Sequence, residues 1–164
     1  MGCGLSLVLL ALLEVPLDAT VETSSGARLQ LATLWKQPTV LFYEDRGSTD
    51  LNLHVKEALA AAGQARGLAE AVAIVAVANV AAYDFFPARN FVLAAIRDVE
   101  KKYGITVYLD FSGGLARPPW SLQARGSTVV LLDRAGVLRS RWRGQLQPDD
   151  VKALLAQVAE LLGP

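Results

Sequence analysis

The stretch that most constrains this chain is V-A-I-V-A-V-A-N-V, residues 72–80. Nine positions pass without a charge, and Val and Ile alternate with small residues. This is the pattern of a strand buried inside a sheet, and it is the strongest such signal in the chain. On both sides of it the apolar period changes. Leu51, Val55, Leu59 and Ala62 before it recur at helical spacing. So do Phe91, Ala94, Ala95, Val99 and Tyr103 after it. Strands separated by helices pair in parallel through right-handed crossovers.

The remaining elements extend this pattern. Thr20 to Thr23 is extended, and Ser24-Ser25-Gly26 makes a turn. Thr39 to Tyr43 is a second buried strand. Ser48 or Thr49 is placed to cap the helix that follows, which ends near Gly63 or Gly67. Another helix runs from about Ala88 and stops at Gly104. Thr106 to Leu109 is a short strand, and Phe111 to Arg125 is a loop rich in Gly and Pro. Thr128 to Leu132 and Val137 to Trp142 form a hairpin around Asp133-Arg134-Ala135-Gly136. Pro148 opens the last helix, with Asp149 and Asp150 in its first turn. The order predicts an α/β fold with a mixed central sheet flanked by helices on both faces. One domain spans residues 15–164, after an apolar segment at 1–14.

Composition narrows the function. Sixteen basic residues balance sixteen acidic ones, so no charge excess points to nucleic acid or an anionic membrane. There is one cysteine, Cys3, and one histidine, His54. That excludes a CxxC pair, an intrachain disulfide and any thiolate or imidazole metal cluster within the chain. No cofactor is expected. His54 lies between Leu53 and Val55 inside a helix, where a surface or half-buried histidine fits better than a catalytic one.

Residues 1–13, M-G-C-G-L-S-L-V-L-L-A-L-L, admit three readings. Leu5 to Leu13 has the length of a signal-peptide core, without a preceding Lys or Arg or a clear cleavage site. Gly2 and Ser6 fit the myristoylation pattern, and Cys3 offers a second acylation site. The run also suits an apolar element packed on the domain. It is too short to span a bilayer comfortably. Cytoplasmic and exported placements both stay open, with lipid anchoring the least favoured.

Several stretches carry a family resemblance. V-P at 15–16 followed by T-V-E-T-S-S-G-A-R-L-Q-L-A-T-L-W, then P-T-V-L-F-Y, then S-T-V-V-L-L-D-R-A-G-V-L, resemble the leading segment, active-site strand and hairpin of the thioredoxin-like superfamily in its longer form, as in peroxiredoxins and TlpA-type oxidoreductases. Within it, N-V-A-A-Y-D-F-F-P-A-R-N-F (79–91) and P-W-S-L-Q-A-R-G-S-T-V-V-L-L-D (119–133) look like the YtfJ-type family. That resemblance implies a thioredoxin-like fold over about residues 15–162, and the family's secreted or periplasmic setting supports export. The departures matter more. Gly47-Ser48-Thr49-Asp50 stands where the CxxC of the superfamily would stand, so the thiolate and its resolving thiol are both missing. Ser127 or its neighbour falls where the superfamily's cis-proline precedes the hairpin strand.

The fold brings three loops to one sheet edge: Glu44–Asp50, Ala81–Asn90 and Pro118–Ser127. Ligands of open α/β sheets bind beyond the carboxyl ends of parallel strands, so this is the candidate face. Its candidate residues are Asp45, Arg46, Ser48, Thr49, Asp84, Phe85, Phe86, Arg89, Trp120, Arg125 and Ser127. Glu44 and Asp45 are adjacent on an extended segment, so their side chains point apart, and a local ion pair or turn with Arg46 is expected. Arg89 and Arg125 suit a carboxylate or phosphate, but Asp84 is a ready partner for an Arg. Tyr83, Phe85, Phe86 and Phe91 crowd one stretch, with Trp120 expected to join them. They are either core, with Phe91 on the buried face of its helix and Phe86 as a staple, or a partner or dimer surface. Arg139, Arg141 and Arg143 around Trp142 read as charges that keep an edge strand from pairing. The expected function is a redox-inactive binding module for a protein or small molecule. The alternative is an enzyme of non-thiol chemistry using Asp45, Arg46 or Arg125. A closed polar pocket would favour the enzyme, and an apolar patch of Phe85, Phe86 and Trp120 the binder.

Overall fold

Residues 15–65 and 71–163 are described by the computed structural model. The readings of residues 1–14, Cys3 included, and of Gly67 lie outside the described residues. The strands are β1 (Thr20–Glu22), β2 (Arg28–Gln30), β3 (Thr39–Glu44), β4 (Ala73–Asn79), β5 (Val107–Asp110), β6 (Ser127–Leu132) and β7 (Leu138–Arg143). The α-helices are α1 (Leu53–Ala65), α2 (Ala88–Tyr103) and α3 (Pro148–Leu162). Among the described residues the sheet order is β2-β1-β5-β4-β3-β6-β7. β3, β4 and β5 are parallel, and β6 and β7 add antiparallel strands, as the crossovers and hairpin require.

Register decides which residues share a face. Leu41 pairs with Val75 and Val130, and Tyr43 with Val77. These side chains meet Leu17, Leu31, Trp35, Leu115 and Leu122 in one core cluster. Phe42 pairs with Ala76 and Val129, and Ala78 pairs with Leu109. On that second face Val40, Phe42, Val129 and Leu131 pack against α1 and α3 through Val55, Leu59, Leu154 and Val158. Farther along it, Leu109 and Ala78 meet α2 through Val92, Leu93 and Ile96. Two right-handed crossovers advancing in the same direction place α1 and α2 on the same side. All three α-helices therefore share one face, whereas the sequence reading placed helices on both. The other is covered by 3-10 turns at Leu31–Leu34 and Gly114–Ala116 with their flanking loops.

Three expectations shift. The central, fully buried strands are β3 and β6, in which every residue is buried. β4 alternates instead, with Val75 and Val77 buried and Ile74 exposed. Its Ile74 and Val72 border an apolar groove of about 280 Å³ with Leu59, Leu155, Val158 and Leu162, because the C-terminal turns of α1 and α3 leave that corner open. Second, α1 starts at Leu53, a turn later than a Ser48 or Thr49 cap would start it, and it continues through Gly63. Third, the apolar stripe assigned as the buried face of α2 is not the face that packs.

The helix ends follow their local chemistry. Gly104 closes α2 in the left-handed region at φ +64°, and its N–H donates to the Glu100 carbonyl. Gln147 and Asp150 cap α3 reciprocally behind Pro148. In the β6–β7 turn, Asp133 accepts the N–H groups of Ala135 and Val137. Gly136 lies at φ +80°, and a Cβ there would sit 2.0 Å from the Trp35 ring. That position requires glycine on both counts.

Candidate functional site

The C-terminal ends of β3, β4 and β5 and the start of β6 lie at one edge of the sheet. The Asp45 N–H donates to the Gly126 carbonyl at 3.2 Å, joining the first loop to the third. Asn79 Nδ2 donates to the Ala124 carbonyl at 2.8 Å, joining β4 to the third loop. The first loop and the end of β4 are therefore joined to the third loop at this edge, and the candidate residues divide into two regions.

The first region is the junction after β3. Ser48 is buried, and its hydroxyl donates to Asp45 Oδ1 at 2.7 Å while accepting the Asp45 N–H. It closes the 45–48 turn rather than capping α1, which corrects the capping expectation. Below it is a chain of buried polar groups. Asn52 Nδ2 donates to Ser127 Oγ and to the Gly144 carbonyl, each at 2.9 Å. Asn52 Oδ1 accepts the Leu146 N–H, also at 2.9 Å. Ser127 Oγ donates to Glu44 Oε1 at 3.2 Å, and Lys56 Nζ donates to Glu44 Oε2 at 2.8 Å and to the Thr49 carbonyl. Every capacity of the Asn52 side-chain amide except one acceptor lone pair is used, and it ties α1 to β6 and to the segment before α3. Burial pushes the Glu44 carboxyl above its usual range, while Lys56 and Ser127 pull it back. Glu44 and Asp45 have separate partners, Lys56 and Ser127 for the first and Ser48 for the second. Arg46 is exposed and, among the described residues, makes no ion pair, so the turn forms without the anticipated pair.

Ser127 is fully buried and bonded to both Asn52 and Glu44, so it cannot meet a substrate. A Cβ added at Gly47 would make only an ordinary 3.8 Å contact with Asp45, so the backbone there does not exclude a side chain. Gly126, at φ +106°, directly precedes β6. His54 Nε2 donates to the Leu146 carbonyl at 3.0 Å, which gives it a structural partner.

The second region is the loop after β4 and the start of α2. Arg89 is held by both Asp84 and Glu22, and its guanidinium lies 3.9 Å from the Phe111 ring centroid. The bond to Glu22 and then that to Asp84 hold its pKa above the usual arginine value. Arg89 is thus committed to the protein, and it pulls this loop toward β1 and β5, away from the junction. Glu22 was not foreseen as its partner. The aromatic residues divide. Trp120 does not join Phe85 and Phe86. Its indole N–H donates to the Asp18 carbonyl at 2.7 Å, and its ring packs on the opposite face of the sheet. Phe85, Phe86 and Phe91 are 59%, 84% and 70% exposed. The buried-helix reading of Phe91 and the staple reading of Phe86 are both overturned, because Val92, Leu93 and Ile96 are the side of α2 that meets the sheet.

A third buried group supports the edge from below. Asp110 accepts from Tyr43 Oη at 2.9 Å, from Ser112, and from the N–H groups of Gly114 and Leu115. Burial, then the Asp110 charge, push the Tyr43 hydroxyl far above its usual value. This pair fixes β5 to the loop that follows it. Beside the junction Ser121, Gln123, Arg143 and Gly144 border an open polar depression of about 360 Å³. It brings one guanidinium and no carboxylate, and Arg125 is exposed in the adjacent loop. Among the described residues no group of three or more His, Cys, Asp or Glu is placed to hold a metal ion. No helix of the described residues is long and apolar enough to cross a membrane.

Residues 45–161 match the family described as "Bacterial protein of unknown function (YtfJ_HI0045)", and the chain belongs to that family. No curated protein matches it. Among solved structures it resembles a putative thiol:disulfide interchange protein DsbE from Chlorobium tepidum, with TM-score 0.62 and 20% identity over 90% of this chain and 94% of that one. It also resembles a putative protein disulfide isomerase from Bacteroides thetaiotaomicron, with TM-score 0.61 and 16% identity over 91% and 88%. StoA from Bacillus subtilis gives TM-score 0.57 and 18% identity over 87% and 98%. At these identities the likeness shows the fold, which is thioredoxin-like. The chain has this fold without a CxxC pair, so it lacks the groups for dithiol exchange.

Proposed function

From membership of the YtfJ family and a thioredoxin-like fold without its thiols, we propose that this protein works by contact. It is a binding module that takes a protein partner through the aromatic end of its sheet. One observation carries this reading. Phe85 and Phe86 stand in water at the same end of the sheet as a junction whose buried polar groups are all internally bonded. Water-exposed phenylalanines in a loop held by a doubly paired Arg89 have the composition of an interface anchor. The enzyme reading has less support, since Asp45 is bonded to Ser48 and the nearby depression offers a single cation.

The test is recovery of bound proteins from the native cell by wild type and by a Phe85→Ser/Phe86→Ser variant of unchanged fold. The reading expects specific proteins to be lost with the variant. Identical recovery would remove this loop as the site. The apolar run Leu5–Leu13 favours export, and the mass of the mature N-terminus tests that placement.

A further inference from the structure

The exposed apolar residues continue from Phe85 and Phe86 along α2. Phe91, Ala95, Val99 and Tyr103 recur every fourth residue, and Ile105 follows the helix end. Phe91, Val99, Tyr103 and Ile105 are all exposed, and no α2 residue is fully buried. Single exposed hydrophobics are ordinary, but six on one helix and its two flanking turns are not.

The order of this line is self-complementary. Ala95 is its smallest residue and lies near its centre. An antiparallel copy crossing at Ala95 sets Phe91 on Val99 within α2, and brings the turn Phe85–Pro87 before the helix toward Tyr103 and Ile105 at its end. Each exposed apolar residue then meets an apolar residue, and the small one lies where two backbones approach most closely. Residues four apart form the ridges that interdigitate when helices cross. The area is also informative. With about 200 Å² for a whole aromatic side chain, the four exposed rings present on the order of 500 Å² per copy. Two copies reach on the order of 1,000 Å², the lower edge of a specific interface.

Resting on the reading of this face as a contact surface, we propose that its partner is a second copy of this chain. The pair is an isologous dimer with its two-fold axis at Ala95. The small area makes the dimer concentration-dependent.

Sedimentation of the full chain from about 1 μM to about 100 μM tests this. The expected result is a rise from 17.6 kDa toward twice that mass, with Phe91→Asp staying at 17.6 kDa throughout. In a Cys3→Ser background, Ala95→Cys is expected to form a disulfide-linked dimer under an oxidant, while Lys101→Cys, off the stripe, does not. A wild type that stays at one mass overturns the proposal, as does a dimer that Phe91→Asp leaves intact. If the wild type is monomeric but Phe85→Ser/Phe86→Ser still loses its captured proteins, the second-copy inference fails and the contact reading stands. If the dimer forms as described and capture is unchanged, the dimer stands and the reading of a different protein partner fails.

Discussion

The junction after β3 and the outer face of α2 stand at neighbouring positions on one molecule and solve opposite problems. At the junction polar groups are buried, and each finds a partner inside the protein. Asn52, Ser127, Glu44 and Lys56 form one connected chain. On α2 apolar groups are exposed: Phe91, Val99 and Tyr103 face water, with only the Lys102 ammonium over the Tyr103 ring at 5.0 Å. The first arrangement stabilises the fold, because its buried polar groups bond one another. The second leaves water in contact with surface that association would cover. The junction after β3 is thus a structural joint, and the exposed apolar surface lies one strand away.

Substitutions separate the two regions by what they cost. The largest effect belongs to Asn52→Ala. It strands the Gly144 carbonyl, the Leu146 N–H and the Asn52 bond of Ser127, all in or near the core. A loss of about 3–5 kcal/mol is expected in urea denaturation, at 1–3 kcal/mol for each buried group left unmet.

Lys56→Met comes next. It leaves the buried Glu44 carboxylate with only Ser127, and a loss of about 2–3 kcal/mol is expected at neutral pH. The pH dependence has a defined sign. The folded chain holds the Glu44 proton more tightly than the unfolded chain does, because burial raises its pKa above about 4.5. Stability from this group is therefore greatest below that value and falls as pH rises through the raised one. Removing Lys56 raises that pKa further, so the Lys56→Met penalty shrinks toward pH 4. A penalty that grew on acidification would contradict the pairing.

Phe86→Ser is the smallest. An 84% exposed side chain contributes little to folding, and its stability is expected to stay within about 0.5 kcal/mol of wild type. A larger loss would place Phe86 in the core after all and dissolve the contrast between the regions.

The contrast also explains what could be read from sequence. Element order, the β6–β7 hairpin, the Pro148 helix start and the Gly104 helix stop all follow from local chemistry, and each is present. The joint was not legible. Asn52 directly precedes α1, where local rules read a capping residue, but its partners are 75, 92 and 94 residues away. Ser48 had the right residue type for a helix cap and instead bonded its own turn. On α2 the sequence carries two apolar stripes, Phe91–Ala95–Val99–Tyr103 and Val92–Leu93–Ile96. Periodicity establishes that the helix is amphipathic, but it does not say which stripe meets the sheet. Only the crossover geometry decides that, and it chose the smaller aliphatic side chains.

The central claim is that this sheet edge has kept its architecture and lost its thiol chemistry. The direct measurement is insulin reduction by the full chain with dithiothreitol as electron source, beside a Cys3→Ser variant. The account predicts the uncatalysed rate for both. Turnover above that rate which survives Cys3→Ser would contradict it.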